Sequence, residues 1–160
     1  MTEDELTKHI EAVEKSPKEI AAAVSGLAPA ILRYKPATDK WSILEILGHL
    51  ADIEIVYAYR LRQMLADEKP VIAPMDQNAW ARHLGYMESA APELVALYGL
   101  NRHHNVRLLR RLKAGDLEKV AFHPEHNKNV SVVNIVYMMA GHGRSHLGQI
   151  EQLKREAGRK

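Results

Sequence analysis

The 160-residue chain contains no cysteine. Disulfides, thiolate metal sites and cysteine nucleophiles are therefore excluded, and any metal must be held by His, Asp or Glu. It also lacks the uninterrupted apolar run of ~18 residues that a membrane span needs. Charge of one sign is missing as well. Twenty-two Lys and Arg against 20 Asp and Glu leave a formal charge of +2, so neither a nucleic acid nor an anionic membrane is demanded as a partner. The opening Met1-Thr2-Glu3-Asp4-Glu5 is acidic and polar, unlike a signal peptide. A soluble, cytoplasmic protein is expected. Several catalytic signatures are absent too: a GxSxG nucleophile elbow, a P-loop and a glycine-rich dinucleotide fingerprint. HExxH is excluded because Gly143, Arg144 and Ser145 separate His142 from His146. The ExxH pairs of a di-iron carboxylate bundle are missing, since Glu45 is followed at that offset by Gly48.

What is present reads as helix. Hydrophobic content of 46% and charged content of 26% are ordinary for a globular protein, and the length suits one domain over residues 1–160. Thr2-x-x-Glu5 is a capping box ahead of Leu6, Ile10 and Val13, which recur at helical spacing. Ser16-Pro17-Lys18-Glu19 forms a second box and predicts that the first helix breaks and restarts there. Ser42-x-x-Glu45 starts a second helix running to about Ala66, with Trp41 placed as a hydrophobic staple against Ile46. Pro70 and Pro74 forbid its continuation.

A long irregular connection from Asp67 to Glu88 follows, with one short helical turn expected. The third helix follows Ser89, places Leu94, Leu97, Leu108 and Leu112 inward, and ends at Gly115 as a C′ residue. Ser131 starts the last helix, whose inward stripe is Val132, Ile135, Met139, His142, His146, Ile150 and Leu153. A strand at Val130–Val133 is disfavoured. The fold class is all-α: a four-helix bundle whose long crossover lets the second and third helices run in the same direction.

Histidine in these apolar stripes is the informative feature. His142 and His146 are i and i+4, one helical turn apart, so both rings can converge on one ion. A metal would give each buried lone pair a partner; hydrogen-bonded core histidines are the other reading. His49 lies on the apolar face of Ile46, Ile53 and Val56, with Asp52 one turn on as a further ligand or an acceptor for an imidazole N–H. His104 falls near the face defined by Leu97, Leu100 and Leu108, and His103 points away. Arg102, Arg107, Arg110, Arg111 and Lys113 read as a solvated basic face. His123 and His126 lie in a loop that could reach the bundle mouth, and His9 and His83 have no supporting context. Asp52 and Glu54 are the available candidates for a general base.

The segments Lys40-Trp41-Ser42-Ile43-Leu44-Glu45-Ile46-Leu47-Gly48-His49-Leu50-Ala51-Asp52, Tyr59-Arg60-Leu61 and His142-x-x-x-His146-Leu147-x-Gln149-Ile150 resemble the DinB-like superfamily. The resemblance implies an up-down-down-up four-helix bundle, often a homodimer. It implies a metal site made by His49, His142 and His146, usually with zinc or nickel. It implies a metal-dependent hydrolase, or alternatively a transferase or isomerase using mycothiol, bacillithiol or glutathione. A non-catalytic, metal-stabilised binding protein is a third reading. A small-molecule substrate is the expected partner. The family commonly carries aspartate after the first histidine of the last helix; here that residue is Gly143.

Overall fold

The computed structural model describes residues 2–159. Its helices are α1 (Glu3–Val24), the short α2 (Pro29–Arg33), α3 (Ile43–Ala66), α4 (Gln77–His83), α5 (Ala91–Leu109), the short α6 (Ala114–Leu117) and α7 (Val132–Ala157). Strands β1 (Val120–His123) and β2 (Lys128–Ser131) form an antiparallel hairpin ahead of α7. Four long helices, α1, α3, α5 and α7, make a bundle. Contacts fix their directions. Ala51 and Glu54 of α3 meet Asn101 and Asn105 of α5, so those two run parallel. Ser16 of α1 meets Tyr98 of α5 while Val13 meets Arg102, so α1 opposes α5. His9 packs on Tyr137 and Ser16 lies against Gly143, so α1 and α7 are parallel. The topology is up-down-down-up, and the 67–90 crossover makes it possible.

The capping boxes at Thr2, Ser42 and Ser131 all form, each side chain accepting from the backbone N–H three residues on. Helix α1 does not break at Pro17. A proline within a helix orphans the carbonyl four residues back. Here that is Val13, whose oxygen accepts from the Ser16 hydroxyl at 3.1 Å and from Arg102 at 3.5 Å, so the helix continues. The third helix stops at Leu109 rather than Gly115; Gly115 instead lies inside α6, which is capped by the Asp116 carboxylate on the Lys113 N–H.

Three further expectations fail. Leu97 is exposed, because the inward face of α5 is Ala91, Tyr98, Arg102, Asn105, Val106 and Leu109. The β-branched run that opens α7 also contributes to a real strand, whose partner β1 is itself held by the crossover. Phe122 N–H donates to the Pro70 carbonyl and Ile72 N–H to the Phe122 carbonyl. The crossover holds two short helical pieces, α4 and a 3-10 turn at Tyr86–Glu88, where one was expected.

The core is divided in two. One apolar cluster joins Ile10, Val13, Ile53, Tyr57, Leu61, Val106, Leu109 and Met139. The other joins Ile20, Val24, Leu44, Leu47, Leu50, Tyr98 and Ile150. Along every long helix, polar residues mark the passage from one to the other. They are Ser16 on α1, His49 and Glu54 on α3, Arg102 and Asn105 on α5, and His142 and His146 on α7. No helix among the described residues is long and apolar enough to cross a membrane.

Candidate metal centre

The polar belt has two halves. On the α1–α3–α5 side, Arg102 and Glu54 are almost fully buried, and Arg102 Nε lies 2.7 Å from Glu54 Oε1. Asn105 Nδ2 donates to both the backbone carbonyl and the carboxylate of Glu54, each at 3.1 Å. The Arg102 guanidinium also lies 5.1 Å from the Tyr98 ring centroid. Burial pushes the Glu54 carboxyl up, opposed by Arg102 and Asn105. Arg102 is therefore not part of the solvated basic face, unlike Arg107, Arg110, Arg111 and Lys113. Nor is Glu54 free to act as a base.

On the α3–α7 side, His49, His142 and His146 come together. His49 Nε2 lies 3.1 Å from His142 Nε2, and His146 Nε2 lies 3.2 Å from the same atom. One ligand atom from each ring falls within 4.8 Å of the others, and among the described residues no carboxylate joins the group. Asp52 is instead engaged by the Tyr86 hydroxyl at 2.5 Å. Gly48, next to His49, permits this, since a Cβ there would collide with the Tyr86 ring.

The proton inventory shows what the arrangement suits. His146 Nδ1 is 2.8 Å from Gln149 Oε1, an acceptor, so that nitrogen carries the proton and Nε2 presents a lone pair. Burial, reinforced by the neighbouring rings, pushes His49 down to about 3 and His142 down to about 2. Burial lowers His146 as well, opposed by its bond to Gln149. The rings are neutral at pH 7. A neutral imidazole has one proton, so three mutually facing Nε2 atoms cannot all be satisfied by donating to one another. A dication removes that conflict. Imidazole nitrogens at ~2.0–2.1 Å from a tetrahedral ion are separated by about 3.3 Å, close to the two spacings from His142 Nε2.

Trp41 forms a wall of the site. Its ring centroid is 5.0 Å from that of His49, and it lies nearly parallel to His146 at 6.3 Å. Outside the rings is an open cleft of about 620 Å³, lined by Lys40, Trp41, Gln77, Asn78, Gln149 and Gln152 among others, with His146 at its inner side. Of the three rings, His146 is the one that lines this cleft.

Gly143 has a steric explanation. A Cβ at this position would stand 2.8 Å from Ser16 Cβ and 3.0 Å from both the Ser16 and Tyr98 hydroxyl oxygens. Those hydroxyls hydrogen-bond each other at 2.9 Å. The space an aspartate would need is occupied by α1 and α5.

The other histidines lie elsewhere. His104 is exposed and accepts from Arg62 at 2.6 Å, the inward face of α5 having been misjudged. His103 is exposed, as expected. His123, at the end of β1, and His126, in the turn of the hairpin, pack with ring centroids 4.3 Å apart and planes tilted by 34°, away from the metal group. Sequence reasoning missed Gln149 as the partner of His146, although its i+3 spacing was a usable signal. It also missed Tyr98, Arg102 and Asn105, whose face carries too few apolar residues to announce itself.

Comparison with known proteins places this architecture. A sequence profile of the DinB superfamily matches residues 12–150. A protein of Bacillus mycoides strain KBAB4, provisionally named a metal-dependent hydrolase, is 28% identical over 156 residues, covering 96% of this chain and 88% of its own. One from Oceanobacillus iheyensis with the same provisional name is 28% identical over 148 residues, covering 92% and 85%. Among solved structures, YfiT from Bacillus subtilis superimposes with a TM-score of 0.93 at 23% identity, over 99% of this chain and 90% of that one. It is described as a probable metal-dependent hydrolase with an unusual four-helix bundle topology.

Proposed function

The chain belongs to the DinB superfamily, and on that premise we propose that it is a metal-dependent hydrolase of small molecules, acting as one domain over residues 1–160. His49, His142 and His146 hold the ion, zinc or nickel. The observation that carries this reading is the convergence of three neutral Nε2 atoms, with His146 lining an adjacent open cleft. A divalent ion supplies Lewis acidity there and lowers the pKa of a coordinated water. Gln149 fixes the His146 tautomer, and Trp41 keeps one side of the rings dry. The polar lining of the cleft, with Gln77, Asn78, Gln149 and Gln152, suits a substrate rich in hydrogen-bonding groups.

One observation favours the alternative of a thiol-dependent transferase or isomerase. Among the described residues no carboxylate joins the three rings, and Glu54 is locked to Arg102, so neither offers a base at the ion. A thiol cosubstrate of the bacillithiol, mycothiol or glutathione type would bring its own nucleophile. A cytoplasmic homodimer completes the proposal. Exposed Ile55 and Tyr59 on α3, with Leu97 and Leu100 on the adjacent α5, offer an apolar surface for a second copy.

The test is a panel of esters, amides and electrophile-plus-thiol pairs, run on zinc- and nickel-loaded protein made without a histidine tag. Ester or amide turnover lost in His49→Ala and His142→Ala supports the hydrolase. Turnover only with added thiol moves the assignment to the transferase. No turnover with either metal rejects both enzymatic readings and leaves a metal-stabilised binding protein.

A further inference from the structure

Two arginines of this bundle are more than nine-tenths buried, and they are treated differently. Arg102 has a carboxylate at 2.7 Å. Arg60, 7% exposed, has none: among the described residues no Asp or Glu comes within ion-pair distance of it. Its Nη2 donates to the Ala73 carbonyl at 3.0 Å, and its Nε–H has no acceptor. A buried guanidinium that lacks an anion is costly, because water has been removed and nothing has replaced it.

Arg60 lines a cavity of about 460 Å³ between the end of α3, the hairpin and the start of α7. Around it stand His123, His126, Lys128, Asn129 and Asn134. His123 is 8% exposed and its Nδ1 has no hydrogen-bond partner. Lys128 makes no ion pair among the described residues. Glu125 is close enough to favour the charged forms of Arg60 and His123, but it is exposed and bridges to neither. The cavity thus combines two cations that have no ion-pair partner among the described residues with imidazole and amide groups. Its walls are set by backbone pairing: Ala73, which holds Arg60, follows Ile72, whose N–H is bound to Phe122 of β1.

We infer that this cavity is an oxyanion site, taking the phosphate or carboxylate group of a small organic ligand on Arg60 and Lys128, with His123 beside them. A guanidinium presents N–H groups in a fork that matches such oxygens, and the volume leaves room for an attached organic group. The site is separate from the three histidines. Arg60 lies three turns beyond His49 on α3, ~16 Å along the helix, and His146 lines a different cleft. The inference does not rest on the hydrolase reading.

The experiment titrates the protein with inorganic phosphate and, in a second arm, with acetate, against sodium chloride at equal ionic strength. Binding is read by calorimetry and by the thermal midpoint. At least one oxyanion is expected to bind and to raise the midpoint above the chloride control. Phosphate alone would mark a phosphate-group site, acetate alone a carboxylate site, and both a general oxyanion site. Affinity should fall at least about tenfold in Arg60→Gln, the loss of one charge-assisted contact. It should fall in the same direction in Lys128→Gln, whose exposed position leaves the fold intact if Arg60→Gln does not fold. Protein stripped of metal with EDTA and then dialysed free of the chelator should keep the same affinity. Three results would overturn the inference: oxyanions no better than chloride, affinity undiminished in Lys128→Gln and in any folded Arg60→Gln, or binding lost in metal-free protein from which the chelator has been removed.

Discussion

Replacing Gly143 by alanine sets two effects of opposite sign against each other. In an exposed helix, alanine is favoured over glycine by about 1 kcal/mol. At this position the new methyl group would lie 2.8 Å from Ser16 Cβ and 3.0 Å from the Tyr98 hydroxyl. Neither neighbour can yield easily. Ser16 is held by its bond to the Val13 carbonyl beside Pro17, and Tyr98 by its bond to Ser16 and its packing on Arg102. Overpacking of this kind costs about 1–3 kcal/mol, and separating the hydroxyl pair about 1 kcal/mol more. The net expectation is a loss of about 2 kcal/mol, or a fall of roughly 4–8 °C in Tm for a chain of this size. Urea unfolding of wild type, Gly143→Ala, Ser16→Gly and the double variant would measure it. In the double variant the two Ser16 contacts are gone and the Tyr98 hydroxyl is free to move, so the two changes should couple favourably by about 1 kcal/mol. A Gly143→Ala protein more stable than wild type, or strictly additive changes, would refute the steric explanation of this glycine.

Three further outcomes are expected. Gln149→Leu frees the His146 tautomer from an exposed position, and should weaken metal affinity by about 10–100-fold in a chelator competition while the circular dichroism stays unchanged; affinity within twofold would contradict that role. Arg102→Met strands the Glu54 carboxylate and should cost about 3–5 kcal/mol, most of it recovered when Glu54→Gln is added; equal losses in the single and double variants would sink the pairing argument. Metal-free protein should lose stability as the pH falls below 6.5. The folded-state values of His49 and His142, about 3 and about 2, lie below the unfolded value, so the unfolded chain binds more protons across that window. The stabilisation is complete above pH 6.5 and is lost toward pH 3, with a slope that approaches about 2.7 kcal/mol per pH unit for the two groups in urea titrations; a flat profile would show the rings to be accessible to protons.

The parts of this fold that sequence exposed are those where one local signal decides the outcome. Ser42 with Glu45, and Ser131 at the head of α7, mark helix starts through side-chain bonds to nearby backbone, and both form as read. His142 and His146 could be paired because helical geometry relates i to i+4. His49 joined them through its apolar face and through the family resemblance. What stayed hidden depends on partners distant in sequence. The continuity of α1 through Pro17 relies on Arg102, 85 positions away, as well as on Ser16. The inward face of α5 was misjudged because it carries Arg102 and Asn105, which are tolerated inside only because Glu54 on α3 meets them. The hairpin is not legible in the sequence because part of the pairing that stabilises β1 comes from the crossover at Pro70 and Ile72.

The most direct test of the central claim is the metal content and coordination of protein produced without a histidine tag. Elemental analysis should find one divalent ion per chain, and X-ray absorption should find imidazole nitrogens at ~2.0–2.1 Å if the ion is zinc. His49→Ala and His142→Ala should each lose that ion while remaining helical. Tagless protein that takes up no stoichiometric metal, or variants that keep it at full occupancy, would contradict the account.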